Sequence, residues 1–170
     1  MSEVSIDKTL VLNEQQINQK IKRMAFEIYE NNFKEKSIVV AGIEGQGYFF
    51  AKILSKELEA IASFEVVIAK VTVDKFSQLQ SEITIDKDPK MIKRKCVLLV
   101  DDVLNTGRTL AYAMKPFFEM GVKKIEVAVL VNRSHTLFPI MPTYTGYQLS
   151  TTLKDHVEVT LGKKSTVYVH

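Results

Sequence analysis

Thirteen residues, Val97 to Thr109 (VLLVDDVLNTGRT), constrain this chain more than any other stretch. Val97 to Val100 is a short apolar run, the pattern of a strand buried on both faces. Asp101 and Asp102 follow, where that strand is expected to end. A five-residue turn from Val103 to Gly107 comes next, and a helix is expected to begin at Arg108 or Thr109. Strand, acidic pair, small-residue turn and helix N-terminus, in that order, make a site for a phosphorylated sugar. Turn amides and the helix dipole hold phosphate. The carboxylates face either sugar hydroxyls or a bound cation. Without such a ligand, two adjacent carboxylates at the end of a buried strand repel each other and need a compensating partner.

The rest of the chain alternates strands with helices. Asn13 is placed to cap a first helix, with Gln16 completing a capping box. Ile17, Ile21, Met24, Ala25, Ile28 and Tyr29 then share one helical face. Ser37 to Ile43 reads as a buried strand, and Gly42, Gly45 and Gly47 mark a tight turn before a second helix with Phe50, Ile53, Leu54, Leu58 and Ile61 inside. Phe64 to Val73 is a strand. Residues 74–95 form a long polar excursion, expected to act as a lid, with an antiparallel ribbon through Glu82 to Ile85. A helix from Arg108 to Met120 is expected to stop at Gly121. Ile125 to Val131 is another strand, 132–146 is irregular, and a hairpin turns at Gly162-Lys163-Lys164. This alternation predicts an α/β fold with a mostly parallel sheet flanked by helices. Ligands in such sheets lie beyond the C-terminal strand ends, so the Glu44–Gly47 turn and the Asp102–Gly107 turn are expected to face one crevice.

A chain of 170 residues that is 46% apolar and 25% charged suits one folded domain over 1–170. The net charge of +3 neither demands nor excludes nucleic acid. No apolar run reaches membrane-spanning length, the N-terminus lacks a signal peptide's apolar core, and the single Cys96 excludes an internal disulfide. A reducing, cytoplasmic setting is expected.

The thirteen-residue stretch resembles the phosphoribosyl pyrophosphate (PRPP) motif of the type I phosphoribosyltransferases: four apolar residues, two acids, two apolar residues, any residue, then Thr-Gly-[Lys/Arg]-Thr. Every position is met. Leu12-Asn13-Glu14-Gln15, the Gly42–Gly47 turn, Leu130-Val131-Asn132-Arg133-Ser134-His135, Phe138-Pro139-Ile140, Tyr144-Thr145-Gly146 and the C-terminal hairpin extend the likeness over about residues 11–169. In that order they resemble the bifunctional pyrimidine operon attenuator/uracil phosphoribosyltransferase group.

The resemblance implies transfer of ribose 5-phosphate from PRPP to a nucleobase, uracil first, with Mg²⁺ as cofactor and pyrophosphate released. Asp101 and Asp102 are implied to hold the ribose hydroxyls, directly or through Mg²⁺ and water. Val103, Leu104, Asn105, Thr106, Gly107, Arg108 and Thr109 are implied to bind PRPP, with the amides of 105–109 on the 5-phosphate. Glu44, Gly45, Gln46 and Gly47 form the implied pyrophosphate loop. Asn132, Arg133 and His135 lie in the implied base hood, 132–156, with Arg133 reaching either phosphate or base. A homo-oligomer is implied as well, and an RNA partner is open, with Lys20, Lys22, Arg23, Lys93, Arg94 and Lys95 as its candidate contacts.

Three positions depart from the group's pattern. Relatives carry basic residues, in a Lys-Thr-Arg-Gly style, where this chain has Glu44-Gly45-Gln46-Gly47. They carry a Tyr-Arg-Asp-like element in the lid where this chain has Val73-Asp74-Lys75-Phe76-Ser77, and Asp where it has Asn132. These departures keep two other functions open: an RNA-binding regulator of pyrimidine genes, and a catalytically weak PRPP or nucleotide sensor. Asn105 stands where purine enzymes of the superfamily have an Asp acting as base, and an amide takes no proton at neutral pH.

Overall fold

Parallel strands need crossover connections, and the second helix, then the third and fourth together, supply them by laying apolar faces on the sheet. The computed structural model describes residues 7–73 and 82–170. Strand β1 (Thr9–Leu12) leads into α1 (Glu14–Asn32), β2 (Ser37–Ile43), α2 (Gln46–Ile61) and β3 (Glu65–Thr72). A two-residue β4 (Thr84–Ile85) precedes β5 (Cys96–Leu104), which feeds α3 (Arg108–Ala113) and α4 (Lys115–Met120). Then come β6 (Lys124–Asn132), β7 (Tyr144–Gln148), β8 (Val157–Thr160) and β9 (Thr166–Val169).

Six strands form one sheet in the order β4-β3-β2-β5-β6-β7, parallel except for β4. Alternate residues of its central strands feed two cores. Val40, Leu98 and Val100 pack with Ile17, Phe50 and Leu54 of α1 and α2. Val39, Val97 and Leu99 pack with Leu110 and Phe117 of α3 and α4. A second, antiparallel sheet, β1-β9-β8, adds Leu12 and Val167 to the first core. Asn13 caps α1 as expected: its side chain accepts from the Gln16 amide at 2.9 Å, and Gln16 Oε1 accepts from the Asn13 amide at 2.9 Å.

Four expectations need correction. β5 does not end at Val100 but runs through both acids to Leu104, because β6 gives those residues a partner: Asp101 faces Val129 and Val103 faces Val131. The helix expected over 108–120 is two helices broken at Met114, since Pro116 has no N–H to continue the ladder; Gly121 ends the second at φ 71°. The stretch expected to be irregular contains β7, which pairs with the open edge of β6 in parallel. β1 was not expected at all, because four residues beside a helix cap carry too little periodicity.

Of the excursion at 74–95, residues 74–81, with the Asp74-Lys75-Phe76-Ser77 element, lie outside the described residues. The expected ribbon is present as β4, with Val71 opposite Ile85. Cys96 is buried at the start of β5, and burial, with Glu35 beside it, pushes its thiol up to about 11. It is a small protonated hydrophobe at neutral pH. Replacing Asn13 by Ala removes the reciprocal cap and is expected to lower stability by about 1 kcal/mol, read as a lower urea midpoint with an unchanged slope.

Candidate functional site

At the C-terminal end of β5 the chain folds around an open cavity of about 340 Å³, lined by residues 101–110 and by Val157 of β8. Such a volume lies at the lower end of small-ligand sites, about 300–1,000 Å³. Because β5 continues through the acids, their side chains leave on opposite faces of the strand. Asp101 is buried, and its Oδ1 accepts from the Asp102 amide at 2.9 Å. Asp102 is half-buried. The carboxylate pair is therefore split between two environments rather than stacked in one.

Gly47 sits directly against the first acid. A Cβ at that position would lie 2.6 Å from Asp101 Oδ1, so only glycine lets the N-terminus of α2 approach β5 this closely. Gly45, at φ 98°, makes the bend that starts α2. The rest of that turn goes elsewhere. Glu44 is exposed, and Gln46 Oε1 accepts from the Leu161 amide at 3.0 Å, pinning the turn to the end of β8. Of the four residues expected there, the structure brings Gly47 to the acids, and Glu44, Gly45 and Gln46 do not line the cavity.

The turn after β5 is three residues, Asn105 to Gly107, shorter than expected. Gly107 takes φ 83°, which reverses the chain into α3. Thr106 Oγ1 accepts from the Arg108 amide at 3.2 Å, and the Arg108 guanidinium lies 5.0 Å from the Tyr112 ring centre. The first N–H groups of α3 have no intrahelical partner and are the donors of this loop. Leu104 is a core side chain and Val103 packs against the core, so both serve the cavity through their backbone. Thr109 lines the cavity, half-buried.

The hood packs onto this loop. The Thr106 carbonyl accepts from the Leu137 and Phe138 amides at 2.8 and 3.1 Å, and Ile140 covers Gly107. Arg133 donates to four protein oxygens. Its Nη1 donates to Asn105 Oδ1 at 2.8 Å, its Nε to Thr151 Oγ1 at 3.0 Å, and its Nη2 to the Thr152 and Asp155 carbonyls at 3.2 and 2.6 Å. The guanidinium fork is thus filled by protein oxygens and braces the cradle turn against residues 151–155. His135 Nε2 donates to the Thr151 carbonyl at 2.8 Å, and Asn132 Oδ1 accepts from the Ser134 amide at 2.9 Å. All three hood residues hold the hood's own backbone.

Thr151, Asp155 and Val157 were missed. Asp155 accepts from the Thr152 amide at 2.7 Å; that hydrogen bond, with Arg133 and His135 nearby, holds its carboxyl below the usual carboxylate range. An acid three residues after its donor in a polar stretch carries no signal by itself, and Val157 is one valine among many. The basic residues of α1 are partly committed: Arg23 pairs with Glu27 and donates to the Thr145 and Gly146 carbonyls, and Lys20 lies over the Tyr147 ring. Lys93-Arg94-Lys95 precedes β5, at the opposite end of the sheet from the cavity.

A family model described as "Phosphoribosyl transferase domain" matches residues 9–161. The chain belongs to that family. Bifunctional protein PyrR of Brevibacillus brevis is 33% identical over 165 residues, covering 93% of this chain and 92% of the relative. PyrR of Bacillus pumilus is 32% identical over 165 residues, covering 92% of each. Within the type I phosphoribosyltransferases the chain is PyrR-like. A hypoxanthine-guanine phosphoribosyltransferase structure from Bacillus anthracis superposes with a TM-score of 0.71 at 23% identity over 85% of each chain, which shows the shared fold.

Two contacts shape the surroundings of the cavity. Gly47→Ala forces a methyl into Asp101 and is expected to cost roughly 1–3 kcal/mol, measurable by chemical denaturation. The lowered Asp155 carboxyl favours the folded state above its unfolded value, about 3.9, and that contribution is lost as pH falls through the lower folded value. In an NMR titration the Thr152 amide shift is expected to move with a midpoint below about 3.9.

Proposed function

We propose that this phosphoribosyltransferase domain transfers ribose 5-phosphate from PRPP to a ring nitrogen of a nucleobase, with uracil the favoured acceptor. The observation that carries the reading is the cavity itself: one continuous segment, 101–110, contributes an acid, two threonines and a glycine-hinged row of amides to its wall. Asp102 accepts hydrogen bonds from the ribose hydroxyls, and Asp101 fixes the Asp102 backbone from behind. The amides of the 105–109 loop, apart from the Arg108 amide that donates to Thr106 Oγ1, receive the 5-phosphate. Because Thr106 Oγ1 already accepts from Arg108, its own proton is free to be donated to a phosphate oxygen. Of the Glu44–Gly47 turn, Gly47 alone comes against the acids, and the turn carries no basic side chain for the pyrophosphate.

Among the described residues no cluster of three or more His, Cys, Asp or Glu side chains is gathered to hold a metal. That fits Mg²⁺ in this reaction, since the ion keeps several waters and takes one or two carboxylates beside substrate oxygens; Asp102, with Asp101 through water, would hold it. When bound it neutralises charge on the departing pyrophosphate. The C1–oxygen bond to pyrophosphate breaks as the bond from C1 to the base nitrogen forms, with inversion, and the proton of that nitrogen passes to water or to the departing pyrophosphate. The transition state resembles an oxocarbenium ion. The residues around the cavity position the sugar and, with the hood, exclude water.

The exposed Glu44 and the pinned Gln46 support a second reading, in which PRPP or nucleotide is bound and turnover is weak. An RNA-binding regulator is supported by the near full-length likeness to relatives named bifunctional; its binding would fall steeply with salt. No helix among the described residues is long and apolar enough to cross a membrane. The likeness to PyrR supports a cytoplasmic homo-oligomer as part of this reading. PRPP with Mg²⁺ is expected to raise the melting temperature, and Asp102→Asn combined with Thr106→Ala to abolish the rise. Pyrophosphate release that requires uracil selects the transferase; PRPP binding without release selects the sensor; salt-sensitive binding of a folded leader RNA selects the regulator. No shift at millimolar PRPP rejects the site.

A further inference from the structure

The Arg133–Asn105 contact fixes more than the hood. A guanidinium has five N–H donors and no acceptor. The Asn105 atom 2.8 Å from Arg133 Nη1 must therefore be the carbonyl oxygen, and the side-chain amide cannot flip without placing donor against donor. The Asn105 oxygen is thereby used. What remains on this side chain is Nδ2, with two N–H groups, and among the described residues it donates to none. Asn105 is exposed and lines the cavity. Arg133 is itself held in place: three further bonds, to Thr151, Thr152 and Asp155, leave its fork no second orientation.

We propose that Arg133 is a positioning residue that makes Asn105 a hydrogen-bond donor toward the bound ligand, so that this wall of the cavity selects an acceptor atom. This rests on the phosphoribosyltransferase reading above. The acceptor is a ligand oxygen, and two sources share that chemistry: a ring carbonyl of the base and a phosphoryl oxygen. A carboxylate at position 105 would present an acceptor in place of the donor and would pair with Arg133. A lysine at 133 carries donors alone and keeps the orientation; a glutamine carries both and releases it.

The test compares uridine 5′-monophosphate with ribose 5-phosphate by calorimetry, with side-chain amide NMR on the same samples. The wild-type Asn105 Nδ2 proton resonances are expected to shift on binding. A single neutral hydrogen bond corresponds to a loss of about three- to tenfold. If the acceptor is the base carbonyl, Asn105→Ala loses that factor for the nucleotide beyond any change for ribose 5-phosphate. If it is a phosphoryl oxygen, both ligands lose it alike. Either pattern supports the proposal, provided that Asn105→Asp loses more than Asn105→Ala and that Arg133→Lys retains affinity which Arg133→Gln loses. Melting temperatures of the variants report on folding, and the Nδ2 resonances of the wild-type chain give a readout independent of any substitution. Unmoved Nδ2 resonances on saturation, or equal affinities for Asn105→Ala, Asn105→Asp and wild type, overturn the donor assignment while leaving the cavity reading intact. Failure of the wild-type chain to bind either ligand overturns the cavity reading and the donor assignment with it.

Discussion

β2 and β5 run side by side in parallel, and their C-terminal loops leave the sheet in different directions because β3 and β6 lie on opposite sides of the pair. Among the described strands this is the pair at which the direction of strand addition reverses. A parallel strand cannot turn straight back into its neighbour, so each loop is carried off by its helix, α2 on one face and α3 on the other. The crevice between them is a consequence of connectivity. What the local sequence adds is closeness. The missing Cβ of Gly47 brings α2 against Asp101, and the left-handed Gly107 turns the chain sharply enough to aim amides into the opening.

The parts of this arrangement legible in the sequence are those set by local physics. The capping box at Asn13, the apolar faces of α1 and α2, strand β2 and the terminal hairpin each follow from a period or a turn signal within a few residues. The PRPP motif was legible because it compresses strand, turn and helix into one contiguous segment, and the chain belongs to the family which that motif implied. The misplaced features depend on partners far along the chain. The extension of β5 through Asp101 and Asp102 needs β6 beside it, and β7 exists because β6 has an open edge.

Arg133 is the clearest case of a residue whose chemistry was anticipated and whose partners were not. A planar cation next to a motif for phosphorylated sugars suggests an anionic ligand. Four oxygens of the protein also accept from it, and three of them come from a segment nearly twenty residues downstream that the motif does not mention. The hood is therefore not a loose flap hung from β6. It is tied at both edges, by Thr106 to 137–138 and by Asn105 through Arg133 to 151–155.

The small sheet carries a consequence for how the molecule assembles. Val157 walls the cavity from β8, β8 is held by β9, and β9 is held in turn by β1, with Thr9 opposite Val169. Contacts between positions so distant in the chain form late, because closing a long loop costs entropy before any pairing compensates it. The parallel sheet, which carries residues 101–110, can gather around β2 and β5 before Val157 is in place. The Val157 side of the cavity is thus held no more firmly than the outer strands hold one another.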